Sequence, residues 1–245
     1  MEDLGYPTRR AAWYAVAILT ICYTFSFVDR LILAFLVTPM KHDLHLSDTQ
    51  IGLLQGLAFA ALYSVLGIPF GLAADRLNRR NLIAAGVLVW SLMTSCGSLA
   101  RTFWTLAVTR LGVGIGEATL SPAAFSMIAD CFPRERLSSA LSIYSIRVPV
   151  GKDLALILGG VVVQIVSHMA PVELPWVGLI APWRLTFLVV GAPGLVLLIL
   201  LATVREPGRR LLPLAASPRS RAGLANALGQ LRDGGLYAGG KVDDG

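Results

Sequence analysis

Six long apolar blocks, separated by short polar segments, dominate the pattern of hydrophobic and polar positions along the chain. An α-helix needs about 20 residues to cross the hydrocarbon of a bilayer, and each block is long enough for one such helix. The blocks lack the alternation of barrel strands, so helices are the structures that satisfy their backbone groups in lipid. The predicted spans are residues 12–37, 49–73, 82–100, 104–129, 137–167 and 183–204. The pattern therefore predicts an all-α membrane protein with a bundle of six transmembrane helices over residues 12–204.

The two ends of the chain complete the predicted domain organisation. Residues 1–11 form a short N-terminal segment, and residues 205–245, rich in Gly, Ala, Arg and Ser, contain no span-length apolar run. We expect a flexible tail there, without a seventh helix. Ser47 with Gln50 has the form of a capping box at the start of the second span, and Glu206 precedes the proline that ends the sixth.

The amino-acid composition agrees with a membrane environment. Hydrophobic residues make up 55% of the chain and charged residues 15%, whereas a soluble domain carries about 25% charged residues. The net charge of +6 comes from short clusters between the apolar blocks and not from one basic face, so no nucleic-acid partner is expected. The three cysteines have no metal-binding spacing, and we expect neither a metal site nor an organic cofactor. The lipid bilayer is the predicted surroundings of the bundle.

Basic residues are divided unequally between the two sets of loops. On one side there is little more than Lys41 and Arg101. The other side holds Arg9, Arg10, Arg76, Arg79, Arg80, Arg134, Arg136, Arg205, Arg209 and Arg210. Because loops rich in Lys and Arg stay in the cytoplasm, both termini are predicted to be cytoplasmic. The expected location is a cell membrane, with a bacterial inner membrane favoured.

The charged residues of the first and fourth predicted spans are Asp29, Arg30, Arg110 and Glu117. A charge at the centre of a membrane helix costs on the order of 3 kcal/mol, so each needs a partner or a wet cavity. Arg110 and Glu117 are seven residues apart and return to nearly the same helix face, so all four could line one cavity. Burial and a neighbouring arginine shift the pKa of a carboxyl group in opposite directions, so a modest rearrangement can load or release a proton. The alternative is a buried ion-pair network that only fixes helix positions.

Two motifs carry a family resemblance. The loop after the second span contains GLAADRLNRR, from Gly71 to Arg80, and the fourth span contains RLGVGIGEA, which begins at Arg110. The first resembles the GxxxDRxGRR loop signature of the major facilitator superfamily, and the second resembles its RxxxGxG signature. The sequence FVDR, ending at Arg30, and GEA around Glu117 resemble the Spinster branch, which includes exporters of lysolipids and sphingosine phosphate. The resemblance covers about residues 12–207 and fits the amino-terminal six-helix half of such a transporter.

The resemblance implies a role for each of these residues. It implies two six-helix halves, each built from 3+3 inverted repeats, with a substrate cavity between them and alternating access by rocking. Asp29 and Glu117 would carry protons, the coupling ion, and Arg30 and Arg110 would be their charge partners. Asp75 would contact a helix of the second half. The loop motif that would govern the conformational change consists of Gly71, Asp75, Arg76, Arg79 and Arg80.

The chain also departs from the family pattern. Asn78 stands where the loop signature has glycine, which is a mild change because Asn tolerates a left-handed backbone. The fifth span carries Arg147, Lys152 and Asp153 where Spinster-like chains have small residues. Arg147 is expected to line the substrate cavity and meet an anionic headgroup; the alternative is a local feature tolerated through snorkelling or water. The roles of Lys152 and Asp153 stay open.

The length of the chain leaves two functions to weigh. A complete family member has about twelve spans, so this chain is expected to be half a transporter, shortened by truncation or a frame disruption, or to pair with a second half or with itself. We expect proton-coupled transport of a small amphipathic organic solute, for which a lysolipid is one candidate. The alternative is a transport-incompetent membrane subunit that acts by associating with a partner. No catalytic constellation is present in the sequence, so an enzyme is not expected.

Overall fold

The computed structural model describes the backbone of residues 6–169, 172–174 and 178–209 and, within those ranges, all side chains except those of residues 57–62, 167, 172–174 and 178–179. Nearly all of this backbone is helical. The helices are α1 (Arg9–Phe35), α2 (Val37–Leu44), α3 (Asp48–Gly52), α4 (Ala58–Arg76), α5 (Arg79–Cys96), α6 (Phe103–Ala118), α7 (Leu120–Cys131), α8 (Arg134–Ser145), α9 (Arg147–Ser167), α10 (Pro182–Gly191) and α11 (Pro193–Thr203). A π-helical turn (Leu53–Leu57) joins α3 to α4, and a 3₁₀ turn (Gly97–Leu99) follows α5.

The helices form the six predicted spans. Within the described residues, five segments are long and apolar enough to cross a membrane: Arg9–Phe35, Arg79–Leu99, Phe103–Cys131, Arg134–Val166 and Pro182–Thr203. They correspond to the first, third, fourth, fifth and sixth predicted spans. The second, residues 49–73, is helical backbone from α3 through the π-helical turn into α4, and part of it falls on side chains outside the described set. The predicted six-helix membrane fold is confirmed.

One small element was not predicted from the sequence. Strands β1 (Val172–Leu174) and β2 (Gly178–Ile180) pair antiparallel, with Val172 opposite Ile180. They lie in the connection between the fifth and sixth spans, and a three-residue strand is too short for its hydrophobic pattern to be distinguished from that of a loop.

Prolines explain where the spans divide into two helices. Each break is followed by a proline in the first turn of the next helix, where its missing N–H has no intrahelical partner to lose. The breaks and their prolines are Leu36 with Pro39, Thr119 with Pro122, Ile146 with Pro149, and Ala192 with Pro193. The spans are therefore jointed, and the joint at Thr119 lies two residues from Glu117.

Contacts at the ends of two helices fix the connections between spans. Ser47 accepts from the backbone N–H of Gln50 over 3.2 Å and donates its own N–H to the Gln50 side chain over 2.9 Å. The predicted capping box is confirmed. At the start of α10, Trp183 Nε1 and Arg184 Nη2 donate to Asp43 of α2 over 3.0 and 2.8 Å. This contact holds α2 against the start of the sixth span.

Glycines bring the helices around the interior charges close together. A Cβ atom added at Gly116 of α6 would lie 2.6 Å from the Gly86 carbonyl oxygen and 2.7 Å from the Trp90 backbone nitrogen, both in α5. On α9, Gly151 packs against Phe27 and Gly159 against Phe35, both in α1. The close approach at Gly116 sets the rotation of α6 against α5, and the two on α9 set its distance from α1.

Candidate functional site

Two ion pairs join α1 to α6 inside the bundle. Arg30 Nε donates to Glu117 Oε2 over 2.5 Å. Arg110 Nη1 lies 3.4 Å from Asp29 Oδ1. The structure thus brings together the four charged residues that the sequence analysis placed within spans.

The four residues differ in exposure. Asp29, Arg110 and Glu117 are buried, whereas the side chain of Arg30 keeps 23% of its surface exposed. One cation therefore reaches the surface of the described bundle, and the carboxylate that it pairs with lies beneath it.

Helix geometry explains the crossed pairing. Asp29 and Arg30 are neighbours in α1 and point about 100° apart, so they contact α6 at two different places. Arg110 and Glu117 share one face of α6, about 10 Å apart along its axis. Asp29 of α1 therefore pairs with Arg110 of α6, and Arg30 of α1 pairs with Glu117 of α6.

Asp29 has a nearer partner than Arg110. The hydroxyl of Thr94, on α5, donates to Asp29 Oδ2. The 3.4 Å contact to Arg110 is longer than a charge-assisted hydrogen bond of about 2.7–2.9 Å. Thr94 was not predicted as a site residue, because a single threonine within an apolar block is common and its polarity is its only signal.

A narrow cleft runs between the two arginines. Its volume is about 50 Å³, and its walls are Arg30, Leu33, Leu54, Gln55, Arg110 and Val113. One water molecule needs about 10–15 Å³ of such space, so the cleft has room for more than one. The π-helical turn supplies Leu54 and Gln55 to this wall, and turns of this kind are frequent at functional sites. Gln55 was also not predicted as a site residue, because nothing in the sequence marks a π-helical turn.

Aromatic rings cover the guanidinium groups. The Arg30 Cζ atom lies 5.0 Å from the centre of the Tyr63 ring and 5.6 Å from that of Phe27. The Arg110 Cζ atom lies 4.8 Å from the centre of the Phe187 ring. These distances are within the range of cation–π attraction, which helps to keep the cations in an apolar bundle.

Arg147 lies in a different, aromatic environment. It is buried, its Nη1 donates to the Tyr144 carbonyl over 2.9 Å, and its Cζ lies 3.7, 4.3 and 5.1 Å from the ring centres of Tyr144, Tyr23 and Phe125. In the described ranges no carboxylate lies within ion-pair distance of it. The structure does not bring Arg147 into the two ion pairs, and its contact with a substrate headgroup stays a prediction. Lys152 and Asp153 are exposed on α9.

The loop motif after the second span divides into a buried and an exposed part. Arg79 is only 1% exposed, and its guanidinium donates to Asp130 of α7 and, over 2.7 Å, to Glu206 after α11. It also donates to the carbonyls of Ser126 and Pro207, over 3.1 and 3.0 Å. Arg79 therefore ties together the ends of the third, fourth and sixth spans.

The other motif residues contact the bundle less. Glu206 accepts the backbone N–H of Arg80 over 2.9 Å, so one carboxylate caps the first turn of α5. Asp75 and Arg76 are exposed at the end of α4, and Gly71 faces open space among the described residues. Glu206 was predicted only as the end of a span, and Asp130 was not predicted as a contact of the motif.

Comparison with known proteins agrees with this architecture. The sequence profile described as Major Facilitator Superfamily matches residues 19–238. An "MFS-type efflux pump" of Mycolicibacterium smegmatis is 36% identical over 77% of this chain and 40% of its own length. "Protein spinster homolog 1" of Mus musculus is 36% identical over 72% of this chain and 34% of its own length.

A solved structure is similar in both fold and sequence. It is the crystal structure of a bacterial homologue of the human lysosomal transporter Spinster, inward-facing and unoccupied, with a TM-score of 0.76 and 36% identity over 93% of this chain. This chain covers 50% of that structure, so it spans about half or less of the length of these relatives. The Spinster-like resemblance is confirmed, and the chain belongs to the major facilitator superfamily.

Proposed function

We propose that the chain acts in proton-coupled secondary transport, with Asp29 and Glu117 as the proton-carrying groups. The observation that carries this proposal is the pair of buried carboxylates, each facing an arginine across α1 and α6 beside a cleft with room for water. Ionisable groups inside spans that face a cavity are typical of proton relays in transporters.

Protonation of either carboxylate would weaken an ion pair that joins α1 to α6. A proton on Glu117 removes the negative charge that holds Arg30, and Arg30 already reaches the surface of the described bundle. A proton on Asp29 releases Arg110 in the same way, although the Thr94 hydroxyl still contacts the carboxyl group. Each protonation therefore separates α1 from α6, which biases the protein toward another arrangement of these helices.

The expected substrate is a small amphipathic organic solute, with a lysolipid as the candidate that the Spinster resemblance favours. Transport would follow alternating access between two six-helix halves. The protein is a multi-pass membrane protein by family. We assign it to a bacterial inner membrane with both termini in the cytoplasm, as the distribution of arginines between loops favours.

Uptake of a fluorescent lysolipid into proteoliposomes under an imposed pH gradient tests the proposal. Unmodified protein should respond to the gradient, and the combined change Asp29→Asn with Glu117→Gln should abolish the response. Asp153→Asn is the matched control, because Asp153 is also an acid within a span but is exposed and outside the ion pairs. Gradient-dependent uptake that persists in the double variant would refute proton carriage by these two groups.

A second candidate function is that of a membrane subunit that works by binding a partner, such as a second half-transporter or another copy of the chain. One observation favours it: α4 exposes large apolar side chains, with Ile68 74% and Val65 67% exposed among the described residues. Cross-linking in membranes tests it, with Ile68→Cys in a Cys96→Ser background and Ile199→Cys as the equally exposed control on α11. Links at residue 68 but not at residue 199 are expected. A chain that is monomeric and also inactive in vesicles would rule out both functions.

A further inference from the structure

Two opposite charges lie on the fifth span, far from both of its ends. Lys152 and Asp153 are near the middle of the 33-residue apolar segment Arg134–Val166. At a rise of 1.5 Å per residue, about 20 Å of helix separates them from the nearer end, and the hydrocarbon of a bilayer is about 30 Å thick in total. Both residues are exposed on α9. In a membrane they therefore face the hydrocarbon unless a partner covers them.

The two charges are not neutralised within the chain. In the described ranges neither Lys152 nor Asp153 has an ion-pair partner. They cannot neutralise each other, because neighbouring residues of a helix point about 100° apart. An unpaired charge at the centre of a membrane helix is costly, and the short side chain of an aspartate does not reach the membrane surface. This part of α9 therefore needs a partner that brings both an acid and a base to the same depth.

Large apolar side chains surround the two charges. Val150, Leu156 and Ile157 of α9 are 51%, 51% and 64% exposed. A surface of this composition favours lipid or another helix over water. Because lipid chains offer no counter-ion, the surface fits a helix that carries complementary charges.

A second copy of the chain supplies such a helix by symmetry. On the circumference of α9, the midpoint between Lys152 and Asp153 lies about 10° from the direction of Leu156. Two copies that pack along this line, around a two-fold axis normal to the membrane, bring Lys152 of each copy opposite Asp153 of the other at the same depth. An antiparallel pair of helices would place like charges opposite each other. The match therefore requires both copies to have the same orientation in the membrane.

From this geometry we infer that α9 is a self-association surface, on which Lys152 and Asp153 of two copies form two reciprocal ion pairs and Leu156 packs against its counterpart. The inference rests on the second candidate function, because it names the partner and the surface that binds it. It is independent of proton transport, because each copy contains its own two ion pairs between α1 and α6. Gradient-driven uptake should therefore not depend on this surface.

Disulfide cross-linking of the full chain in proteoliposomes tests the line of contact. Leu156→Cys in a Cys96→Ser background should link two copies, because residue 156 lies close to the two-fold axis. Leu154→Cys is the matched control, since Leu154 is also an exposed leucine of α9 but points about 150° away from the midpoint of the charges. Links at residue 156 and none at residue 154 are expected. Equal linking at both positions would overturn the interface.

Reversal of single charges tests the ion pairs. Förster transfer between copies labelled at Cys96, an exposed thiol, measures association in proteoliposomes over a series of protein-to-lipid ratios. Lys152→Asp alone and Asp153→Lys alone should each weaken self-association about tenfold or more, because like charges then meet at both pairs. The two variants mixed together should associate about as strongly as the unmodified chain, because every acid again faces a base.

A charge exchange controls for effects on folding. Lys152→Asp combined with Asp153→Lys keeps the net charge and should restore association to within about threefold. Circular dichroism and thermal unfolding show whether the variants fold alike. Association that ignores both single reversals would overturn the inference. Folded variants whose association is restored neither in the mixture nor by the exchange would overturn it as well.

Failure of this inference and failure of the proposed functions give different results. Links at residue 68 and Förster transfer that both persist through charge reversal would keep partner binding through α4 and overturn the interface on α9. A chain without any transfer between copies would overturn both. Failure of proton-coupled transport would be visible only as uptake that ignores the pH gradient, while association remained sensitive to charge reversal at residues 152 and 153.

Discussion

The Thr94 hydroxyl donates a hydrogen bond to Asp29 Oδ2 and joins α5 to α1 at the first of the two ion pairs. This bond leaves Arg110 at 3.4 Å from the other carboxylate oxygen. Asp29 therefore accepts from a neutral donor and also faces a cation, and the Nε and Nη2 atoms of that cation have no hydrogen-bond partner in the described part of the chain.

Replacing Thr94 with valine should weaken the Asp29 site. The two side chains are similar in shape, but valine cannot donate, and a hydrogen bond to a charged group contributes about 1.5–3 kcal/mol to the free energy of unfolding. Thr94→Ser keeps the hydroxyl and should lower the free energy of unfolding much less than Thr94→Val. Unfolding of purified protein by a denaturing detergent measures both, and equal losses for valine and serine would show that the hydroxyl contributes nothing.

Replacing only one partner of the Arg30–Glu117 pair should lower the free energy of unfolding more than replacing both partners. Glu117→Gln leaves Arg30 without its counter-ion and should destabilise the protein by about 3–5 kcal/mol. The double change Arg30→Gln with Glu117→Gln removes the uncompensated charge, so the coupling energy in a double-mutant cycle should be about 1–3 kcal/mol. Strictly additive losses in unfolding experiments would contradict the pairing.

Arg79 should be far more sensitive to substitution than Arg76 of the same loop. Arg79→Ala leaves the Asp130 and Glu206 carboxylates without their shared cation and should cost about 3–5 kcal/mol of unfolding free energy. Arg76→Ala changes an exposed side chain and should cost less than about 0.5 kcal/mol. Arg79→Lys should recover only part of the loss, because an ammonium lacks the fork that reaches several acceptors. Similar melting temperatures for the Arg76→Ala and Arg79→Ala variants would contradict this prediction.

Gly116→Ala should destabilise the contact between α5 and α6. The added methyl group would meet the Gly86 carbonyl oxygen at 2.6 Å, so the helices must move apart, at a cost of about 1–3 kcal/mol. Gly160→Ala is the control, because a Cβ atom there meets nothing within 4 Å in the described set and alanine favours the helix by about 1 kcal/mol. Thermal unfolding should therefore move in opposite directions for the two variants, and equal shifts would contradict the close packing.

The spans and the four interior charges could be predicted because each produces a strong signal in the sequence. An apolar block of span length has few other structures in lipid, and a charge within it is expensive enough to be noticed. The partners that complete the site were beyond this kind of inference. Thr94 of α5 reaches Asp29 of α1 only when the helices pack, and the rotation of α5 that this contact requires is a tertiary effect.

The π-helical turn and the aromatic surroundings of Arg147 were beyond inference for similar reasons. A π-helical turn has no sequence signature, so Gln55 gave no sign that it lies beside two arginines. Arg147 was recognised as a charge at membrane depth, but three rings from α1, α7 and α8 surround it, and such a set forms only when those helices pack.

The contact between Arg79 and Glu206 has a consequence for biogenesis, because the two residues are 127 positions apart in the chain. The ribosome synthesises the third span long before residue 206. Until residue 206 has been added, Arg79 therefore lacks Glu206, one of its two carboxylate partners. Closure of this contact marks the moment when the sixth span has been inserted. A nascent chain that stalls earlier would display an incompletely paired cation to the quality-control machinery of the membrane.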